Sequence, residues 1–226
     1  IDLLDKKNQL LTTESKLVKE QISSMLLVIG LALLLVIMLL FWSYRNRKIQ
    51  KRLHYLASTD HLTGISNRGS FSDKSKTILQ SAEKSESSVA LIFIDLDHFK
   101  SINDAYGHQV GDWVLIQVVN SLKTIISGKG MQIGRIGGEE FGIILPDTGS
   151  IAAKDFAEHC REIIQKIDTF DTGSHFQVTA SFGIADTDSA GYNLDNLFSA
   201  ADLALYQSKK YGRNRVSCYE GDNIDL

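Results

Sequence analysis

The stretch Val89-Ala90-Leu91-Ile92-Phe93-Ile94-Asp95-Leu96-Asp97 decides how the chain is read. Its first six residues form an unbroken apolar run rich in β-formers, the pattern of a central strand covered on both faces. The run stops at carboxylates, and the end of a buried strand is where α/β folds place their ligands. Period-two alternation sends Asp95 and Asp97 to the same side, with the Leu96 carbonyl beside them. Upstream, Asp60 to Arg68 is turn-rich, and residues 69–85 read as a polar, weakly amphipathic helix. Downstream, Phe99, Lys100, Asn103 and Asp104 precede a helix that opens at Gly107–Asp112 and runs to about Ile126, with Val114, Val118, Leu122 and Ile125 on its apolar face. Residues 131–136 and 141–145 read as strands, 151–167 as an amphipathic helix and 176–185 as a strand. Residues 194–210 form a helix with Leu194, Leu197, Phe198, Ala201 and Leu205 inward, and 215–219 a last short strand. The order β-α-α-β-β-α-β-α-β is an α/β sandwich of the split βαβ, ferredoxin-like kind.

Between the strands at 131–136 and 141–145 lie Gly137, Gly138, Glu139 and Glu140, followed by Phe141. Glycines at such a hairpin permit positive φ and close approach to the backbone. Adjacent carboxylates repel one another there unless a cation or a basic partner offsets them, so a solvated acidic turn and a ligand site both fit the bare sequence. The topology makes this hairpin a neighbour of the 89–94 strand, so Asp95 and Glu139 can face each other across one sheet edge. Two hard carboxylates and a backbone carbonyl suit Mg²⁺, which takes the rest of its shell from water and substrate phosphates. Lys209 and Arg213, four apart at a helix end, fit either phosphate binding or complementation of the helix dipole. Asn103 and Asp112 fit turn and helix-end roles; a carboxylate accepting from N1–H and the amino group of a purine would also select guanine over adenine.

The chain has 226 residues, 43% hydrophobic, which allows one domain of about 150 residues plus something smaller. The net charge of -3 gives no sign of a nucleic-acid binder. Cys160 and Cys218 lie far apart and outside any CxxC pair, so they read as reduced, packed thiols. Residues 1–21 carry Leu3/Leu4, Leu10/Leu11 and Leu17/Val18 at seven-residue intervals, with Asn8 and Ser15 intruding, a stripe that fits a coiled-coil seam and a plain amphipathic helix equally. Residues 22–43 contain eighteen consecutive residues, 25–42, without a charge, enough at about 1.5 Å each to span a bilayer once. Arg45, Arg47, Lys48, Lys51 and Arg52 follow at once, against only Lys16 and Lys19 on the other flank, which places the C-terminal part in the cytoplasm. Residues 44–58 continue as a basic helix with Ile49, Leu53 and Leu56 on one stripe, a stiff connection able to transmit rotation or tilt, or a passive tether. Ile1 stands mid-pattern rather than at a start, so a further N-terminal input region is expected.

Five motifs follow in order: Asp60-x-Leu-Thr-Gly-x-x-Asn67-Arg68, Asp95-x-Asp97-x-Phe99-Lys100-x-x-Asn103-Asp104, Gly107-His108-x-x-Gly111-Asp112, Arg135-x-Gly-Gly-Glu-Glu-Phe141, and Ala201-Asp202-x-Ala-Leu-Tyr206-x-x-Lys209-x-x-Gly212-Arg213-Asn214. Together they resemble the GGDEF family of diguanylate cyclases over residues 58–219. The resemblance implies a nucleotide-cyclase-like sandwich over 59–219, with a tail at 220–226, that condenses two GTP molecules into cyclic di-GMP and releases pyrophosphate. It implies Mg²⁺ or Mn²⁺ on Asp95, the Leu96 carbonyl and Glu139, with Glu139 or Glu140 as base near the 3′-hydroxyl. It further implies guanine recognition by Asn103 and Asp112, phosphate contacts from Phe99, Lys100, Lys209 and Arg213, and a homodimer in a bacterial inner membrane. Gly128-Lys129-Gly130-Met131 stands where the family has its Arg-x-x-Asp product-inhibition site, so no such site is expected, and Ser208 stands where the family often has Ala. The rival readings are an inactive module binding GTP or cyclic di-GMP, and a structural membrane dimerisation protein.

Overall fold

The computed structural model describes residues 2–126 and 130–221. The chain divides into two compact units, 1–55 and 56–226. Helix α1 (Asp2–Ser58) supplies the first and contains Leu11–Asn46, a segment long and apolar enough to cross a membrane, none of whose most apolar window is buried. The stripe positions Leu3, Leu4, Leu10, Ser15, Ile49, Leu53 and Leu56 have side chains outside the described residues, as do Asn8, Arg47, Lys48, Lys51 and Arg52. Gly128 and Lys129, and residues 222–226 of the tail, also lie outside them.

The second unit is built on a six-stranded sheet in the order β1-β3-β4-β2-β5-β6. The strands are β1 (Ser66–Asn67), β2 (Ala90–Leu96), β3 (Gln132–Arg135), β4 (Glu140–Leu145), β5 (Ala180–Asp186) and β6 (Val216–Cys218). The inner four pair antiparallel, and the short edge strands β1 and β6 join in parallel. With β2 between β4 and β5, this is the split βαβ arrangement expected from the sequence. Helices α2 (Arg68–Ser85), α3 (Phe99–Tyr106), α4 (His108–Ile126), α5 (Ser150–Gln165), α6 (Thr187–Ala190) and α7 (Leu194–Lys210) complete the unit.

Strand β2 is apolar throughout because both its faces are covered. Ile92 and Ile94 enter a core with Val114, Val118 and Leu122 of α4 and Ala157, Cys160 and Ile164 of α5. Leu91 and Phe93 enter a second core with Phe71 and Leu79 of α2 and Leu197, Ala201 and Leu205 of α7. Each such large side chain contributes about 1.5–3 kcal/mol by leaving water. Phe71 is fully buried and packs against the hairpin glycines Gly134 and Gly142, where a Cβ would come within 2.5 Å of its Cβ and 2.9 Å of its ring. At Gly183 in β5 a Cβ would overlap the backbone of α7, so that helix and strand can meet at this distance only over a glycine. Ser208 fits its buried place on α7 by donating to the Phe182 carbonyl at 2.7 Å and bonding the Ser217 hydroxyl at 2.8 Å.

Two sequence expectations are corrected, and the first of the two helices expected after the 89–94 strand is located. The turn-rich stretch after Asp60 contains β1, held in the sheet by pairing with β3. The region before Gly107 is a separate helix, α3, ended by Gly107 at φ 86°. Residues 176–179 are not strand: the Thr169 hydroxyl accepts from the N–H of Phe176 and donates to its carbonyl, and the Phe176 ring stacks on Tyr106 at 4.5 Å. Both cysteines are free thiols, and burial pushes the Cys160 thiol up to about 12.

Candidate active site

The site grows from the register of β2 against β4, which sets Asp95 directly opposite Glu140. Directly opposed residues on neighbouring strands share a face, so two carboxylates meet at the sheet end. Glu139 is the residue before, at the close of the turn, where its carbonyl accepts from Leu96 N–H at 3.3 Å. The turn folds back tightly: the Glu140 carbonyl accepts from Ile136 N–H at 2.8 Å, and a Cβ at Gly137 would overlap the Glu140 carboxylate.

Arg135 fixes the turn from outside. Its Nε and Nη2 donate to the Gly138 carbonyl at 3.0 and 2.7 Å, and its Nη1 reaches both oxygens of Asp60 at 3.1 Å. Asp60 also accepts from the N–H and hydroxyl of Thr63 at 2.9 and 2.6 Å. Burial pushes the Asp60 carboxyl up, but the Thr63 bonds and Arg135 outweigh it and hold it below the ordinary value. The motif residues Asp60 and Arg135 were legible in the sequence, but this clamp was not.

From the other side Lys209 of α7 contacts Asp95 at 2.8 Å. Burial nevertheless holds the Asp95 carboxyl above the ordinary value; Asp97 adds to the rise, while Lys209 and Arg213 oppose it. Glu140 is raised too, by burial first and then by Asp95, Glu139 and Asp202, against Lys209. Both carboxyls thus hold a proton more readily than exposed ones, chiefly because burial strips water from their charged forms. Beside Glu140 opens a cleft of about 460 Å³ walled by Arg68, Phe93, Ile136, Phe198 and Asp202.

The Asn103 amide of α3 packs over Gly111 of α4, where a Cβ would overlap its oxygen, and Asp112 follows Gly111 on that helix with its side chain exposed. Phe99 is buried and Lys100 exposed in the first turn of α3, just past the left-handed His98. Arg213 is exposed in a left-handed turn, its N–H bonded to the Ser208 carbonyl at 3.0 Å. Asp97, singled out by the alternation with Asp95, is buried beyond the end of β2 and accepts from Thr179, Ser181 and the Asn214 N–H at 2.8, 2.7 and 2.9 Å.

Among the described residues no three His, Cys, Asp or Glu side chains cluster as a metal site. The oxygen donors Asp95, Glu139 and the Leu96 carbonyl fit a hard divalent cation in chemistry. Such an ion would need further oxygens from a ligand.

The fold and site define an α/β domain with opposed carboxylates and a lysine at the end of its central strand. The family model described as "Diguanylate cyclase, GGDEF domain" matches residues 57–215, and the chain belongs to that family. It is similar to "Probable diguanylate cyclase DgcE" of Escherichia coli (strain K12), 35% identical over 77% of this chain and 16% of that protein. It is also similar to "Diguanylate cyclase VdcA" of Vibrio cholerae serotype O1, 37% identical over 75% of this chain and 48% of that protein. The chain thus spans half or less of the length of these relatives. A solved structure of the coiled coil and GGDEF domain of DgcB from Caulobacter crescentus, in complex with c-di-GMP, matches with TM-score 0.71 and 30% identity, covering 78% of this chain and 93% of that one.

Proposed function

We propose that this chain is a diguanylate cyclase that condenses two GTP molecules into cyclic di-GMP and two pyrophosphates. The observation that supports this best is the opposition of Asp95 and Glu140 at the end of β2, with Lys209 bonded to Asp95 at 2.8 Å. In this reading the 3′-oxygen of one GTP attacks the α-phosphorus of the other, pyrophosphate leaves, and a second turn of the same exchange closes the ring. Glu139 or Glu140 takes the proton from the 3′-hydroxyl; burial has already made the Glu140 carboxylate a better proton acceptor than an exposed one. Asp95, the Leu96 carbonyl and Glu139 would hold Mg²⁺ or Mn²⁺, which when bound stabilises charge on the phosphates and acidifies the hydroxyl.

Asn103 and Asp112 read the guanine edge, a role that the packing of Asn103 against Gly111, the residue before Asp112, supports. Lys100 and the turn at Phe99, with Lys209 and Arg213, bind phosphates. Lys209 exchanges its Asp95 partner for phosphate oxygens when the nucleotide enters. One domain holds one GTP, so two must face each other, and the working form is a homodimer. Residues 22–43 anchor the chain in the bacterial inner membrane, residues 44–58 follow as a basic signalling helix, and the cyclase domain, 59–219, lies in the cytoplasm; the exposed apolar segment of α1 supports this. Incubating the dimeric chain with GTP and Mg²⁺ and identifying products by mass spectrometry tests the reading. Cyclic di-GMP is the expected product. Bound GTP without product from an intact dimer would identify an inactive nucleotide-binding module instead.

A further inference from the structure

Gly212, Arg213 and Asn214 have positive φ of 112°, 62° and 45° in succession. Glycine adopts this region freely, but an arginine and an asparagine following it must be held there by their surroundings. Asn214 is gripped from two separate elements. Its N–H donates to Asp97 Oδ2 at 2.9 Å, and its side-chain Oδ1 accepts from Arg161 Nη1 of α5 at 3.1 Å.

Both anchors are themselves fixed. Asp97 is 5% exposed and takes the hydroxyls of Thr179 and Ser181. Arg161 is 18% exposed and is aligned by Glu158 at 2.7 Å and Gln165 at 3.0 Å. Neither anchor lies on α7, which carries Lys209, and the last of the three residues between that helix and Asn214 is Arg213, near enough to Asp95 for its charge to act there.

We propose that Asp97 and Arg161 are positioning residues: by holding Asn214 from two sides they keep the Gly212–Asn214 turn left-handed and so present Arg213 to the phosphates of the nucleotide. This rests on the reading of Arg213 as a phosphate contact. The anchors act on affinity through Arg213 and touch no reacting atom themselves.

The test compares the full chain with its Asn214→Ala, Asn214→Gly and Arg161→Leu variants, each alone and combined with Arg213→Ala. Two quantities are read: the GTP dependence of pyrophosphate release, and the calorimetric affinity for a GTP analogue with a methylene bridge between its α and β phosphorus atoms. Asn214→Ala, which disfavours the left-handed backbone and removes the Arg161 contact, raises KM and Kd about tenfold, equivalent to about 1.4 kcal/mol, with kcat within about twofold. Asn214→Gly keeps both the left-handed backbone and the N–H to Asp97 and stays within about threefold of the parent. Arg161→Leu falls between the two. In the Arg213→Ala background all three effects shrink below about twofold, because interactions that act through one group are not additive.

Unchanged affinity in Asn214→Ala, a fall in kcat at constant affinity, or full additivity with Arg213→Ala would each overturn the proposal. Parent protein that binds the analogue but makes no cyclic di-GMP would refute the cyclase reading alone, since the affinities still test the positioning role. Parent protein that does not bind the analogue would overturn both. Melting temperatures of the same variants exclude a loss of fold, and Asn214→Gly and Arg161→Leu keep the test open if Asn214→Ala does not fold.

Discussion

Replacing Arg135 by Met removes the fork that ties Asp60 to the Gly138 carbonyl while keeping a side chain of similar length. Four hydrogen bonds are lost, two at 3.1 Å to the Asp60 carboxylate and two at 3.0 and 2.7 Å to Gly138. Arg135 and Asp60 are 15% and 14% exposed, so the charged pair is largely shielded from water. Breaking a buried pair outright costs about 3–5 kcal/mol, but Asp60 keeps both Thr63 donors, so about 2–3 kcal/mol is expected here. For a domain of this size that is a fall in Tm of about 4–12 °C.

The pH dependence gives a sharper check. The folded-state carboxyl of Asp60 lies below its ordinary value of 3.8, so it contributes stability that is present above that pH and is lost as pH falls through the folded value. Without Arg135 the depression is smaller, so less is lost on acidification. Thermal melts of both proteins from pH 7 to pH 3 should show the full gap at neutral pH and a narrowing gap below about pH 4. A gap that stays constant across that range, or a neutral-pH fall in Tm below about 2 °C, would refute the clamp as described.

Three further outcomes are expected. Glu139→Ala abolishes cyclic di-GMP formation while circular dichroism and Tm stay close to the parent, and retained turnover would remove Glu139 from the chemistry. Gly183→Ala drives a methyl group into the α7 backbone and costs about 3 kcal/mol or more, read as a fall in denaturant midpoint, because backbone on both sides has no rotamer to yield. Micromolar cyclic di-GMP leaves initial rates of the dimeric chain nearly unchanged, since Gly128-Lys129-Gly130-Met131 carries neither the guanidinium nor the carboxylate that would grip it. Strong inhibition by the product would show that it binds elsewhere.

Much of the architecture could be read before any coordinates because its signals are local. The apolar run before Asp95 could only be a doubly covered strand, and the periodic faces of α4, α5 and α7 pointed to their cores. What escaped depended on distant partners. Two residues, Ser66 and Asn67, carry no periodicity, and only the neighbouring β3 makes them a strand. Phe176 and its neighbours alternate like a strand, yet Tyr106 and Thr169 claim them first.

At the site the same division holds. Residue types and motif order identified the acids and the basic helix end. The bond between Asp97 and the Asn214 backbone joins residues 117 positions apart and leaves no trace in spacing. The pairing of Lys209 with Asp95 is equally hidden, because a lysine at a helix end satisfies the dipole whether or not an acid waits across the sheet.

The seat of Phe71 bears on how this sequence can drift. The ring rests on two glycines of one hairpin, Gly134 and Gly142, which face each other across β3 and β4 and leave no room for a methyl group. At Gly142 an added methyl meets only the edge of the ring, so Ala there is deleterious beside Phe71 and becomes tolerable once the ring has been exchanged for something smaller; at Gly134 it meets the Cβ of Phe71 itself, which no trimming short of glycine removes. The order of substitutions matters: trimming position 71 first opens a cavity that a later Ala can fill, whereas the reverse order passes through a clash. Lineages of this domain are expected to vary at positions 71 and 142 together, with the change at 71 first, while position 134 stays glycine.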